Sequence, residues 1–242
     1  VIDFLCCHQK YRGKRMSTTL IDEIVRRLVK QGYNSGCFTS EICVPTPTAV
    51  LRYYHRPINY DKLQKLGYID NNCYDKHKSK FFKVNATTCN LIQMTEQHLD
   101  QVFQLYKTYI SRFNIYCNYS KDDLRYYLLN KFTKSYVIVE NDNIVDFVSY
   151  YELSSYTNDN KDEKDEKIFT GYLFLHSCNK MNMDDLLRNL IKMASINNLD
   201  VLNVFDFNNV SSALLTPELN VDENSDSDLD ESVEDSLKSS DL

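Results

Sequence analysis

Glycine and proline are scarce in this chain of 242 residues, which has five glycines, four prolines and no tryptophan. Gly13 stands alone in its basic stretch, so the Gly-x-Gly pattern of dinucleotide-binding folds is not met there and a nucleotide-dependent dehydrogenase is not supported. The sequence also lacks any run of about eighteen apolar residues, and we therefore expect no membrane-spanning helix.

The eight cysteines are not arranged for metal binding. They are scattered, with no Cys-x-x-Cys pair and no Cys/His cluster at zinc-finger spacing, so we expect no metal site. Most lie among Ile, Val, Phe and Tyr, where a free thiol behaves as a small buried hydrophobic group. Reduced thiols, together with the lack of a signal-peptide pattern, predict a cytoplasmic protein.

Acidic charge is concentrated at the C-terminal end. The whole chain has a net charge of −6, whereas residues 218–242 hold ten acidic side chains and one lysine, a balance of −9, which leaves +3 for residues 1–217. A mildly basic body suits a small polyanionic ligand better than a nucleic-acid duplex, so we expect no nucleic-acid partner. Residues 211–242 are predicted to be a disordered acidic tail, because they cannot bury enough apolar area to offset the entropy of ordering.

The first thirty residues predict a strand, a basic loop and an amphipathic helix. Residues 1–7 form a short apolar strand, Gly13 allows a tight turn, and Ser17 or Thr18 is suited to cap the helix. The apolar residues of the helix recur at helical spacing on one face: Leu20, Ile21, Ile24, Val25, Leu28 and Val29. Cationic side chains ahead of a helix N-terminus are typical of a phosphate-binding loop, although a solvated basic turn is the alternative.

The remaining pattern predicts a mixed α/β protein of two related halves. The expected elements of the first half are a strand at 36–44, a short helix at about 48–54 and a strand at 81–84. Those of the second half are a helix at 96–113, a helix behind the capping box 120–123, hairpin strands at 135–140 and 144–153, a mobile loop at 158–167, a strand at 169–177, a helix at 183–196 capped by Asn182, and a strand at 200–205. The second order of elements echoes that of residues 1–44.

Several segments resemble the N-myristoyltransferase family, whose enzymes move a myristoyl group from coenzyme A to an N-terminal glycine. The family's first signature reads Glu-Ile-Asn-Phe-Leu-Cys-x-His-Lys, and residues 2–9 here read Ile-Asp-Phe-Leu-Cys-Cys-His-Gln. The resemblance continues to about Val210, through 12–17, 52–56 and 147–155. It implies an acyl-CoA N-acyltransferase (GNAT-like) fold of two pseudo-repeated halves. Residues 1–85 would then be the C-terminal part of an incomplete first half, residues 86–210 the second half and residues 211–242 the tail.

The resemblance implies that acyl-CoA binds at the start of the chain. The backbone amides of Phe4 and Leu5 match the family's oxyanion hole, where two fixed N–H donors stabilise the negative charge that develops on a thioester oxygen. The residues implied in acyl-CoA binding are Cys6, Cys7, Arg12, Gly13, Lys14, Arg15, Met16 and Ser17. Transfer in this family is direct, without an acyl-enzyme, so we do not expect Cys6 and His8 to form a nucleophilic pair.

Residues implied in binding the acceptor peptide are spread along the chain: Asp3, Thr39, His55, Tyr68, Ser155 and Tyr172. Each of these side chains, taken alone, is more often a packed aromatic or a surface hydroxyl than a ligand contact, and only their common order along the chain supports the assignment. The resemblance further implies myristoyl-CoA as co-substrate, no permanently bound cofactor, peptides or proteins with an N-terminal glycine as partners, and a monomer.

Both ends of the chain depart from the family pattern. The upstream part of the first half has no counterpart here, and the second signature, Lys-Phe-Gly-x-Gly-Asp-Gly, is replaced by residues 211–217 and the acidic tail. In the family a C-terminal carboxylate takes the proton from the glycine ammonium. We therefore interpret the chain as a fragment and expect little or no transferase activity from it. Two alternatives stay open: a non-catalytic acyl-CoA or peptide binder, and an interaction protein acting through its tail, where Ser225, Ser227 and Ser232 each have an acidic residue three positions on, a pattern that acidophilic kinases could modify.

Overall fold

The structure is a computed structural model that describes residues 6–38, 45–69, 82, 89–156 and 167–205. It divides the chain into two compact units, Val1–Val50 and Leu51–Leu242. The segment that follows Leu51 pairs with the C-terminal sheet, and the expected boundary at residue 85 stays a prediction. The predictions made for residues 1–5, 39–44, 70–81, 83–88, 157–166 and 206–242 lie outside the described residues.

The first unit contains one long helix, α1 (Met16–Lys30), behind a basic turn. Its N-cap is Arg15, in the left-handed conformation with φ 56°, and in this described stretch no side chain caps the helix. The prediction of a cap at Ser17 or Thr18 is therefore wrong, because both residues already lie inside the first helical turn. The helix ends at Lys30, and beyond it Gly32, whose φ is 88°, donates its N–H to the Val29 carbonyl oxygen at 3.0 Å.

The second unit is built on a mixed sheet of six strands. These are β1 (Tyr53–Pro57), β2 (Ile92–Gln93), β3 (Thr133–Glu140), β4 (Asn143–Tyr156), β5 (Lys167–Ser177) and β6 (Val201–Phe205), in the spatial order β1-β6-β5-β4-β3-β2. Strands β5 and β6 pair in parallel, and the other neighbours pair antiparallel. Asn141 and Asp142, with φ of 47° and 62°, form the tight turn of the predicted β3–β4 hairpin. The sheet with its helices confirms the mixed α/β class.

The described residues of the second unit include the helices α2 (Tyr60–Lys65), α3 (Leu99–Ile110), α4 (Lys121–Leu128) and α5 (Met183–Ile196). The sequence predicted α4 with its capping box and α5 with its Asn182 cap, and both are confirmed. Helix α3 is shorter than predicted, since a 3-10 turn at Glu96–His98 precedes it. The helix predicted at 48–54 is wrong, because Tyr53 and Tyr54 form cross-strand pairs with β6 instead, and α2 was not predicted.

The helices cover the two sheet faces unequally. Helix α5 packs on one face against Tyr150 and Leu202. Gly171 permits the close approach of Leu199, which follows this helix, because a Cβ at position 171 would lie 2.6 Å from the Leu199 Cδ2 atom. Helices α3 and α4 cover the other face where Val137 and Phe147 lie. On this second face, the part formed by β5, β6 and β1 carries tyrosine, histidine and asparagine side chains.

Candidate functional site

The basic turn ahead of α1 contains four of the residues predicted to bind acyl-CoA. Gly13 adopts φ 74°, and the turn is closed by a hydrogen bond from Arg12 Nε to the Cys7 carbonyl oxygen at 3.2 Å. Lys14 Nζ lies 5.9 Å from the ring centroid of Tyr11. The side chains of residues 12–15 are exposed, and the first turn of α1 contains no acidic residue. This arrangement offers positive charge and a helix N-terminus to an anion.

The remaining predicted acyl-CoA residues surround this turn. Met16 and Ser17 begin helix α1 and are exposed, while Cys6 is exposed and Cys7 half-buried just before the turn. Residues 6 and 7 have no regular secondary structure, so the described end of the predicted first strand is not a strand. The predicted oxyanion donors, Phe4 and Leu5, lie outside the described residues.

Three residues lie in register across β5, β6 and β1 of the second unit. Tyr172 pairs with Asn203, and Asn203 pairs in turn with His55. His55 Nδ1 and Asn203 Oδ1 are 2.7 Å apart, the distance of a short hydrogen bond. Asn203 is only 3% exposed, whereas His55 is exposed. A buried amide therefore holds an imidazole at the surface of the sheet.

Phenol groups gather around this row of residues. The Tyr151 and Tyr172 rings stack with centroids 5.0 Å apart, and the Tyr53 ring meets the His55 ring edge-on at 4.8 Å. Burial raises the pKa of Tyr53, and the neighbouring phenols of Tyr172 and Tyr151 raise it further. Burial also raises the pKa of Tyr68, with Tyr172 as the second cause, so Tyr68 lies near the same group. With a raised pKa, the Tyr53 and Tyr68 hydroxyls remain neutral at physiological pH and can both donate and accept hydrogen bonds.

The rings continue across the sheet toward α4. Phe174 meets Tyr151 edge-on at 5.6 Å and Tyr127 at 5.9 Å, and Tyr119 follows at 5.2 Å from Tyr127. We call this series, from Tyr53 through Tyr172 to Tyr119, the aromatic belt. Aromatic rings with polar tips give a binding surface that is apolar in area and specific in its hydrogen bonds.

The structure brings together three of the residues predicted to bind peptide, namely His55, Tyr68 and Tyr172. Ser155 is exposed near the end of β4, where it pairs with Ile168, four residues beyond Tyr151. It therefore lies on the same pair of strands but farther along. Asp3 and Thr39 lie outside the described residues.

Sequence reasoning missed Asn203 as part of this site. The residue stands in the segment Val-Leu-Asn-Val-Phe, whose other members at positions 201, 202 and 204 are buried apolar side chains. A polar residue in the middle of a buried strand must find a hydrogen-bond partner, because an unpaired buried amide is costly. This single polar interruption was a signal that the sequence did contain.

The described residues contain neither a metal-binding cluster nor a membrane-spanning helix. Within the described residues, no group of three or more His, Cys, Asp or Glu side chains is placed to hold a metal ion. None of the helices in that part of the chain combines the length and apolar character needed to cross a bilayer.

The family models and the relatives that match this chain belong to the same family. Residues 1–51 match the model of the N-terminal domain, and residues 66–220 that of the C-terminal domain, of Myristoyl-CoA:protein N-myristoyltransferase. A glycylpeptide N-tetradecanoyltransferase of Kluyveromyces lactis is 33% identical over 182 residues, covering 73% of this chain and 40% of the relative. The same enzyme of Plasmodium falciparum is 27% identical over 211 residues, covering 85% of this chain and 51% of the relative.

A solved structure agrees with the sequence matches. Saccharomyces cerevisiae N-myristoyltransferase with bound myristoyl-CoA superposes with a TM-score of 0.73 at 26% identity, covering 84% of this chain and 52% of the yeast chain. The chain thus spans about half the length of the relatives that it matches. This likeness confirms the expected GNAT-like fold. Since one family model alone covers more than half of its residues, the chain belongs to the N-myristoyltransferase family.

Proposed function

We propose that the chain takes part in the transfer of a myristoyl group from myristoyl-CoA to the N-terminal glycine of peptides and proteins. The observation that carries the proposal is the row Tyr172–Asn203–His55 within the aromatic belt, in a chain that matches a transferase with bound myristoyl-CoA. The reaction is that of the relatives, which are glycylpeptide N-tetradecanoyltransferases, and the second unit has a surface suited to the acceptor.

The second unit would bind the acceptor peptide. An extended peptide presents alternating N–H and C=O groups, which neutral phenols and an imidazole can pair with from one side. His55 and Tyr68 are exposed, so a ligand can reach them without a rearrangement of the sheet. The belt adds apolar contact area beside these polar groups, while Ser155 lies farther along the same strand pair as a second hydroxyl contact.

The first unit would bind the co-substrate. The charges of Arg12, Lys14 and Arg15 and the start of α1 suit a diphosphate, and Cys6 and Cys7 are the residues nearest in sequence to the predicted thioester position. In the transfer, a base takes one proton from the glycine ammonium, the neutral nitrogen attacks the thioester carbonyl carbon, and the C–S bond breaks. The new amide nitrogen loses a second proton, and the departing thiolate takes up a proton, so that coenzyme A leaves as a thiol. The backbone N–H groups of Phe4 and Leu5 are the predicted donors to the developing oxyanion.

The experiment combines binding and turnover on the full chain. The chain is titrated with a peptide that has a free N-terminal glycine, with the same peptide N-acetylated, and with myristoyl-CoA, and is then incubated with labelled myristoyl-CoA and the free peptide. Tight binding of the free peptide together with product formation supports the transferase proposal and contradicts the low activity expected from the departures at the two ends of the chain. Binding without product favours the non-catalytic binder, and failure to bind either ligand overturns both.

We also propose that the protein acts as a monomer in the cytoplasm, as its family resemblance implies. Light scattering on the purified chain at several concentrations should give the mass of one chain, 28.4 kDa. A mass that doubles with concentration would contradict the monomer, and recovery with a membrane fraction would contradict the location.

A further inference from the structure

We infer that Asn203 is a positioning residue, which fixes the tautomer of His55 and thereby presents the imidazole Nε2 to the ligand as a hydrogen-bond acceptor. The identity of the ligand as an acceptor peptide rests on the proposed function, whereas the tautomer does not. Asn203 itself does not have to touch the ligand for this role, because it acts through the ring of His55.

The chemistry of the contact assigns the proton. An amide oxygen can only accept a hydrogen bond, so the His55 nitrogen that lies 2.7 Å from Asn203 Oδ1 must carry the hydrogen. That nitrogen is Nδ1. In the neutral ring the other nitrogen, Nε2, then has a lone pair and no hydrogen. The hydrogen bond of one ring nitrogen therefore decides what the other nitrogen can bind.

The position of Asn203 makes this control rigid. Strand β6 is bonded on one side to β5 and on the other to β1, and Asn203 lies in the middle of it with 3% of its surface exposed. Its cross-strand partner is His55 itself. The Tyr53 ring holds the imidazole from another direction, edge-on at a centroid distance of 4.8 Å and an interplanar angle of 79°. The ring is thus fixed in both orientation and protonation.

Fixing the tautomer of His55 matters, because a free neutral imidazole populates both tautomers. If Nε2 carried the hydrogen, a peptide N–H or a hydroxyl that approached it would meet a second donor instead of an acceptor. Exposed His55 lies beside phenols that can serve either as donors or as acceptors, so the fixed polarity of Nε2 would set the direction of the hydrogen bonds around it.

The first test reads the tautomer directly. Nitrogen-15 NMR of the full chain, labelled at histidine and recorded at a pH at which the ring is neutral, distinguishes a protonated Nδ1 from a protonated Nε2. We expect Nδ1–H in the wild type, a mixture of tautomers in N203L, which removes the acceptor at similar volume, and retention of Nδ1–H in N203D, which keeps an acceptor oxygen. A wild-type ring protonated at Nε2 would overturn the inference.

A matched control separates this effect from a general loss of packing. Asn197 is a second asparagine of the same unit, whose Nδ2 donates to the hydroxyls of Tyr136 and Tyr150 at 2.6 Å and 3.0 Å. N197L should lower thermal stability as N203L does, but should leave the His55 resonances unchanged. A change of the His55 tautomer in N197L as well would assign the effect to the fold rather than to Asn203.

The second test asks whether the role reaches the ligand. N203L should weaken binding of the glycine peptide by about three- to tenfold, the value of one neutral hydrogen bond. In an H55A background the same substitution should have no further effect, because the pathway through the imidazole is already absent. An equal loss in both backgrounds would overturn the positioning role. A wild-type chain with Nδ1–H that binds no peptide would refute the proposed function and the ligand part of this inference, leaving the tautomer assignment intact.

Discussion

The two units each contain a loop that leads into a long helix, and the two junctions treat anions in opposite ways. In the first, residues 12–15 place three cations ahead of α1, whose first turn contains no acidic residue. In the second, residues 178–182 lead into α5, whose first turn contains Asp184 and Asp185. Asn182 caps α5 by accepting a hydrogen bond from Asp185 N at 2.8 Å, whereas the N-cap of α1 is Arg15.

The second junction is already filled by a carboxylate of the chain itself. Asp146, only 1% exposed, accepts hydrogen bonds from three successive backbone amides: Asn179 N at 2.5 Å, Lys180 N at 3.0 Å and Met181 N at 2.8 Å. Three N–H groups converging on one carboxylate form the type of concave donor site that also binds phosphate. Here the internal anion satisfies those donors, so an external anion has no place.

A loop that leads into a long helix thus serves two different purposes in this chain. The first junction has positive side chains and exposed groups, which suit a ligand, while the second uses its amides to fasten a loop onto the sheet. The pKa of Cys178 is consistent with a negative charge at the second junction. Burial raises this pKa to about 12, and the charge of Asp146 is the second cause. We therefore expect coenzyme A to bind at the first junction and not at the second.

The largest expected effect comes from removing the internal carboxylate. D146A removes the acceptor of three backbone N–H groups, and we expect the free energy of unfolding to fall by about 3 to 5 kcal/mol, measured by urea denaturation. D122A is the control, since the Asp122 side chain is 87% exposed and its ion pair with Arg125 should contribute about 0.5 kcal/mol or less. A loss below about 1 kcal/mol in D146A would mean that the amides have another partner.

The second prediction concerns the pH dependence of the sheet beside this junction. His176, two residues before Cys178, is buried, and burial lowers its pKa to about 4. Because the unfolded value is about 6.5, the unfolded chain binds the proton first as the pH falls, so stability is full above about pH 6.5 and decreases down to about pH 4.

The size of that decrease is about 3 kcal/mol, since each unit of pKa difference corresponds to about 1.4 kcal/mol. Unfolding free energies of wild type and H176Q, measured at a series of pH values, give the contribution by difference. H176Q should show a shallower loss of stability between the two values. Parallel profiles for the two proteins would show that His176 does not titrate as described.

The third prediction tests the first junction. R12A/R15A should weaken the binding of coenzyme A by about tenfold or more, because the substitutions remove two of the exposed positive charges that we propose to bind the diphosphate. R26A/R27A is the matched control, since it removes two cations of α1. Both of these arginines already pair with Glu23, at 2.6 Å and 2.8 Å. Calorimetry with coenzyme A measures both. Equal losses in the two variants would indicate nonspecific attraction and would locate no site at the turn.

The smallest expected effect compares the two helix starts. N182A removes the side-chain cap of α5 and should cost about 1 kcal/mol of stability. S17A should change stability by less than about 0.5 kcal/mol, because Ser17 lies inside the first turn of α1 and does not cap it. Thermal unfolding of the two variants measures the contrast, and a larger loss in S17A would restore the cap that the sequence predicted.

The same contrast shows why some elements were predictable. Asn182 and the Ser120–Asp123 box were recognised because a cap depends on residues three positions apart, and the sequence displays that spacing. Ser17 satisfied the same local rule, yet the helix begins at Met16 after a left-handed Arg15. The preference of a single side chain does not decide where the helix begins, because the turn before it can end in more than one conformation.

The peptide-side site was predictable only in part. His55, Tyr68 and Tyr172 entered through the order of family motifs, and the structure places them near one another. Asn203 was missed, because its role comes from a partner 148 positions away in the chain. Ser155 was assigned to the same surface but lies farther along β4, since motif order carries no distance.

The sequence alone determined the mixed α/β class, the caps of α4 and α5, the β3–β4 turn and the basic turn before α1, because each depends on residues within a few positions of one another. Only the tertiary structure decided that β1 joins the sheet of the second unit, that Asp146 fills the junction before α5, and that Asn203 faces His55. Hydrogen bonds between distant segments follow from strand order and register, which place residues side by side without any spacing that a linear pattern could record.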